Sequence, residues 1–105
     1  MSDSTFKFTD ENFSNSTGSG VSLVDLYADW CGPCKIMAPT IDKLAGEYAG
    51  RVKIGKLNVD EHGAIAQKYN VQGIPFLGLF ENGQLSRHAV GAMPKAQLEQ
   101  ALGLA

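Results

Sequence analysis

Cys31 and Cys34 stand in the run Trp30-Cys31-Gly32-Pro33-Cys34-Lys35 and are the only cysteines among 105 residues. Two sulfurs at that spacing have three uses: a structural bridge, part of a metal site, or reversible redox exchange. A bridge between them closes a very short loop, and loop-closure entropy gives such a bridge little power to stabilise a fold. A zinc site needs about four ligands. The two histidines, His62 and His88, lack the spacing of a ligand pair, so no metal is expected. A disulfide that hardly stabilises is better suited to being made and broken.

The residues around the pair favour exchange. Pro33 fits the first turn of a helix, where its missing N–H costs nothing. Cys31 then sits at the helix N-terminus, facing free backbone N–H groups and the positive end of the helix dipole. Both favour the thiolate, which is the nucleophile. Cys34 follows three residues later on the same face, within bridging reach. It is expected to lie deeper with fewer free N–H groups nearby. An exposed Cys31 therefore attacks and a buried Cys34 resolves.

The elements that must hold this pair can be read from apolar spacing. Thr5 to Thr9 reads as a short strand, and Asp10 as the cap of a short helix holding Phe13. Ser14 to Gly20, rich in Ser, Asn and Gly, reads as a surface loop. Val21 to Ala28 is apolar except for Ser22 and Asp25, as suits a central strand covered on both faces. A helix from Pro33 to about Tyr48 turns Met37, Ile41, Leu44, Ala45 and Tyr48 to one side. Pro39 should kink it, and Gly50 should stop it.

Val52 to Val59 reads as the next strand and Gly63 to Tyr69 as a short helix. Phe76 to Glu81 and Gln84 to Val90 flank Asn82-Gly83, a two-residue hairpin signal. A last helix from about Pro94 to Leu102 places Leu98, Ala101 and Leu102 inward. Strand–helix alternation followed by a hairpin implies an α/β fold, a mixed sheet with helices on both faces.

Bulk properties narrow the class. The length fits one domain over residues 1–105, and 44% hydrophobic residues suffice for one core. A net charge of -2, with nine scattered basic residues, gives no basis for binding nucleic acid. No apolar run reaches bilayer-spanning length. The polar start Met1-Ser2-Asp3-Ser4-Thr5 does not read as a signal peptide, so a cytoplasmic location is expected. No Gly-rich dinucleotide fingerprint is present, and no bound cofactor is expected.

The sequence resembles the thioredoxin family over nearly its whole length. Trp30-Cys31-Gly32-Pro33-Cys34-Lys35 matches the family's active-site motif. Val24-Asp25 and Ala28 match its buried-aspartate strand, Pro39 its kink proline, and Lys56-Leu57-Asn58-Val59-Asp60 the strand after the long helix. Gly73-Ile74-Pro75 matches the cis-proline loop, and Asn82-Gly83 with Val90-Gly91-Ala92 the closing hairpin and following loop. The resemblance implies a five-stranded mixed sheet flanked by four helices and an enzyme that reduces protein disulfides. A redox-independent binding subunit or chaperone using the same surface is the alternative from another class. An exported oxidase or isomerase is the alternative in direction, and Gly32-Pro33 argues against it.

The same resemblance assigns roles. Asp25, in a buried strand, should have a raised pKa and accept a proton from Cys34 through water. An ion pair with Lys56 is a compatible structural use of that carboxylate. Pro75 should follow a cis peptide, and the Ile74 backbone should pair with an extended substrate segment. Trp30, Gly32, Pro33, Gly73, Ile74, Val90, Gly91 and Ala92 should form an apolar docking surface beside Pro75. The implied partners are disulfide-containing proteins and a thioredoxin reductase drawing on NADPH or ferredoxin, with no membrane and with the chain a monomer.

Met37 and Met93 read as packing residues, His62 and His88 as solvent-facing, and Asp60-Glu61 as a capping or surface feature. Three positions depart from the family pattern. Tyr27 stands where Trp is common, Phe76 follows Pro75 where Thr is usual, and Gly78 interrupts an apolar strand. Phe76 and Gly78 could compensate, a large side chain beside a missing one.

Overall fold

A computed structural model describes residues 4–104. The polar start Met1 to Asp3, and Ala105, lie outside the described residues. The chain forms β1 (Phe6–Lys7), α1 (Phe13–Thr17), β2 (Val21–Tyr27), α2 (Gly32–Glu47) and β3 (Lys53–Asn58). There follow α3 (Gly63–Lys68), β4 (Phe76–Glu81), β5 (Gln84–Val90) and α4 (Lys95–Ala101). The five strands make one sheet in the order β1-β3-β2-β4-β5. β1 and β2 run parallel to β3, whereas β4 runs antiparallel to both β2 and β5. This is the mixed five-stranded sheet with four helices expected from the sequence.

β2 lies at the centre because both of its faces are apolar. Leu23 packs with Ile54, Leu77 and Leu79 against Met37, Ile41 and Leu44 of α2 and Leu98 of α4. Val24 and Leu26 pack with Leu57, Phe76 and Phe80 against Phe13 of α1 and Ile65 of α3. Each helix thus covers the sheet with the stripe its spacing requires. Lys95 bridges Glu47 at 2.9 Å and Glu99 at 3.0 Å, tying the start of α4 to the end of α2.

Four local expectations need correction. The first strand is shorter than Thr5 to Thr9. Thr9 N–H donates to Asn12 Oδ1 (2.8 Å) while Asn12 N–H donates to Thr9 Oγ1 (3.0 Å), and this reciprocal pair turns the chain. Asp10 does not cap α1. Its carboxylate accepts from the N–H groups of Ala64 (3.3 Å) and Ile65 (3.4 Å), at the start of α3. Ser14 to Thr17 is helical, not loop, because Phe13 and Thr17 are both buried one turn apart and Thr17 Oγ1 donates to the Phe13 carbonyl. Ala101 is exposed; of the three residues expected inward, only Leu98 and Leu102 are buried.

The hairpin between β4 and β5 closes as its sequence dictates, with φ of 51° at Asn82 and 84° at Gly83. Gly55 has a different duty. A Cβ there would lie 2.1 Å from the Phe6 carbonyl oxygen, so only glycine lets β1 approach β3. Gly78 meets the proposed exchange with Phe76. Its missing Cβ would fall 3.2 Å from the Phe76 ring and 3.0 Å from the Phe80 ring. The Phe76 ring in turn stacks on His88, with centroids 5.1 Å apart and planes 11° from parallel.

Candidate active site

The site forms where β2 ends and α2 begins. The Cys31 N–H donates to the Ala28 carbonyl (3.2 Å), turning the chain through Asp29 and Trp30. Cys31 is the N-cap of α2, with an extended backbone (φ -85°, ψ 112°). Pro33 lies in the first turn. Cys31 Sγ accepts from the Cys34 N–H at 3.2 Å, so a helix-end N–H addresses that sulfur as expected. The two cysteines are bridged, with their Cα atoms 5.2 Å apart. Among the described residues no cluster of three His, Cys, Asp or Glu is placed to hold a metal.

The expected contrast in depth between the cysteines is absent in this bridged form. Cys31 is 4% exposed and Cys34 3%. The Ile74 loop lies against Cys31, with the Ile74 carbonyl oxygen 3.8 Å from its Sγ, and covers the side left open by the helix start. The asymmetry lies in surroundings. Cys31 Sγ has the helix N–H and the loop carbonyl, whereas Cys34 belongs to the helix's buried stripe.

The Ile74-Pro75 peptide is cis. The Gly91 N–H donates to the Pro75 carbonyl at 2.9 Å, joining this loop to the end of β5. A Cβ on Gly73 would lie 3.0 Å from Val90 Cγ1, so glycine permits close contact between the two segments. Trp30 is 70% exposed and Val90 52%. The structure therefore brings Trp30, Gly32, Pro33, Gly73, Ile74, Pro75, Val90, Gly91 and Ala92 around one end of the sheet, beside the disulfide.

Asp25 is fully buried in β2, and neither carboxylate oxygen has a hydrogen-bond partner among the described residues. Burial pushes its carboxyl up to about 7, and the charge of Lys56 offsets part of that rise. Asp25 and Lys56 are register partners on adjacent parallel strands. The ion-pair reading is corrected all the same. The Lys56 ammonium lies over the Tyr27 ring, 4.3 Å from its centroid. Tyr27, where the family commonly has Trp, supplies that aromatic face.

Three neighbours escaped the sequence reading. Asp60 Oδ2 accepts from Trp30 Nε1 at 2.9 Å, which makes it more than a surface acid. The pair is 30 residues apart, so no local spacing could reveal it. Ile36 is 71% exposed on α2. Its signal was legible, as an apolar residue off the inner stripe of Met37, Ile41 and Leu44. His88 is exposed as expected but stacks on Phe76; His62 is only half-buried, its Nδ1 accepting from the Asp10 N–H at 3.4 Å.

Reversible sulfur chemistry is what a bridged pair at a helix start can perform, and the class of protein is a thiol–disulfide oxidoreductase. Comparison with known proteins agrees. The family profile described as Thioredoxin matches residues 4–103. A thioredoxin of Staphylococcus saprophyticus is 46% identical over 96 residues, covering 91% of this chain and 92% of its own length. Thioredoxins of Staphylococcus haemolyticus and Staphylococcus aureus are each 47% identical over the same extent. The chain belongs to the thioredoxin family.

Proposed function

We propose that the chain is a cytoplasmic, monomeric single-domain reductant of protein disulfides. The observation that carries this reading is Cys31 at the N-cap of α2, its Sγ addressed by the Cys34 N–H and facing the cis Ile74-Pro75 loop. In the reduced protein the Cys31 thiolate attacks one sulfur of a substrate disulfide. A Cys31–substrate bond forms, the substrate S–S bond breaks, and the other substrate sulfur leaves as a thiolate. The Cys34 thiol loses its proton to an Asp25 carboxylate oxygen by way of water. Cys34 Sγ then attacks Cys31 Sγ, the intramolecular disulfide forms, and the second substrate thiol leaves. Two electrons pass to the substrate and the protein ends oxidised.

Asp25 suits the proton step because its pKa of about 7 lets it change state near neutral pH. Lys56 sets how readily it does so, through its charge. Trp30, Gly32, Pro33, Gly73, Val90, Gly91 and Ala92 seat the substrate, and the Ile74 backbone beside Pro75 pairs with its extended chain. Re-reduction falls to a thioredoxin reductase drawing on NADPH or ferredoxin. No described helix is long and apolar enough to cross a membrane. The test is reduction of insulin by dithiothreitol. Rapid precipitation with the wild type, lost in Cys31→Ser, supports the reading. No acceleration by the wild type overturns it.

A further inference from the structure

Among the described residues the exposed large hydrophobic side chains are Trp30, Ile36 and Val90. All three lie near the disulfide, but Ile36 stands apart from the surface assigned above. With Thr40 it forms one wall of a groove whose other wall is Ala92, Met93 and Pro94. The groove measures about 380 Å³, enough for one large aliphatic or aromatic side chain. Its loop wall is fixed, because the Met93 N–H donates to Met37 Sδ at 3.4 Å and Met37 is buried in α2. It is continuous with the site, since Ala92 follows Gly91, whose N–H is bonded to Pro75.

The covalent step pins what can reach this groove. A substrate cysteine bonded to Cys31 Sγ anchors its own chain there. In an extended chain, side chains two residues apart point to the same side, about 6.5–7 Å apart. Ile36 lies five residues beyond Cys31, about 7.5 Å along α2 and about 140° around it, so a chain bonded to Cys31 reaches the groove from its other wall, where Ala92 follows the Gly91 that is bonded to Pro75. We propose that the Ile36–Met93 groove is a specificity site for a large apolar side chain two residues from the attacked cysteine of an extended polypeptide. This rests on the disulfide-reductase reading and adds to it a substrate class: cysteines flanked at that distance by Leu, Ile, Phe or Met.

The test uses short peptides carrying one cysteine as a mixed disulfide with thionitrobenzoate. The aromatic thiolate is the better leaving group, so Cys31 attacks the peptide sulfur and releases colour as the peptide is transferred to Cys31, before Cys34 displaces it. Single-turnover rates with reduced wild type are compared for Leu and Ser at each of the positions one and two residues away. The expected result is about a tenfold preference for Leu at one of the two positions two residues away, and none at the adjacent positions. In Ile36→Ser the Leu-to-Ser ratio falls to about one. An equal preference at adjacent positions overturns the groove, as does a preference that survives in Ile36→Ser. The small disulfide of dithionitrobenzoate separates the two readings. If wild type cleaves it but shows no Leu preference, the groove fails and the reductase stands; if wild type cleaves none of these disulfides, the reductase reading itself fails.

Discussion

Asp25 and Lys56 sit opposite each other across β2 and β3, yet the lysine's ammonium turns to the Tyr27 ring and the carboxylate is left without a hydrogen bond among the described residues. The carboxylate thus bears most of the penalty of burial, softened only by a charge that does not touch it.

That penalty sets a pH dependence of stability. The carboxyl has a pKa of about 7 when folded, against about 3.9 in an unfolded chain. Between those values the folded protein holds a proton the unfolded chain has released, so stability falls as pH rises and levels off above about 7. Asp25→Asn removes the ionisation. The variant should match wild type near pH 4 and exceed it by about 2–4 kcal/mol at pH 8, at about 1.4 kcal/mol per pKa unit. Urea denaturation of both oxidised proteins at the two pH values measures the gap; a gap that does not change with pH contradicts the account.

Kinetics follow the same group. Resolution of the mixed disulfide should slow in Asp25→Asn by about 10- to 100-fold and lose its inflection near pH 7. In Lys56→Met the inflection should move to higher pH, because the lysine charge lowers the Asp25 pKa. Rapid-quench trapping of the mixed disulfide across pH 6 to 9 reads both effects. An Asp25→Asn profile identical to wild type would falsify the proton role.

Phe76 and Gly78 should be energetically coupled. A Cβ at residue 78 intrudes on the Phe76 and Phe80 rings, so Gly78→Ala should destabilise by about 1–3 kcal/mol. With Phe76→Thr in place, one of those rings is gone and the loss should shrink by about 1 kcal/mol. A double-mutant cycle on denaturation free energies measures the coupling. Additive losses would show that the two positions do not share the space.

Trp30 reports on its own tether. It is the only tryptophan, and its indole is held by Asp60 while largely exposed. Its fluorescence should change when the adjacent disulfide is reduced. In Asp60→Ala its steady-state anisotropy should fall as the ring gains freedom. Unaltered anisotropy in the variant means that Asp60 does not hold the ring.

The parts legible in the sequence were those written in short-range spacing. The stripe of α2, the Asn82-Gly83 hairpin and the Cys-x-x-Cys helix start each depend on residues within a few positions of one another. Apart from the first strand, cut short by the Thr9–Asn12 pair, most corrections came from contacts that join distant segments. Asp10 caps a helix more than 50 residues later, Asp60 reaches back to Trp30, and the Ile74 loop closes over Cys31. Each is set by how elements pack, and no local pattern encodes it. The helix at Ser14 to Thr17 escaped for another reason: polar residues there conceal a turn held by the burial of Phe13 and Thr17.

The contact between Phe76 and Gly78 also restricts the order in which this sequence could have changed. A phenylalanine arriving first, after Pro75, would press on whatever Cβ occupied residue 78. A glycine arriving first leaves a gap and some backbone freedom, a modest handicap that a later phenylalanine repairs. The glycine is then the permissive step and the phenylalanine the one that depends on it. Transplanting Phe76 alone into a relative with a side chain at the equivalent of residue 78 should therefore cost about 1 kcal/mol more stability than moving the pair.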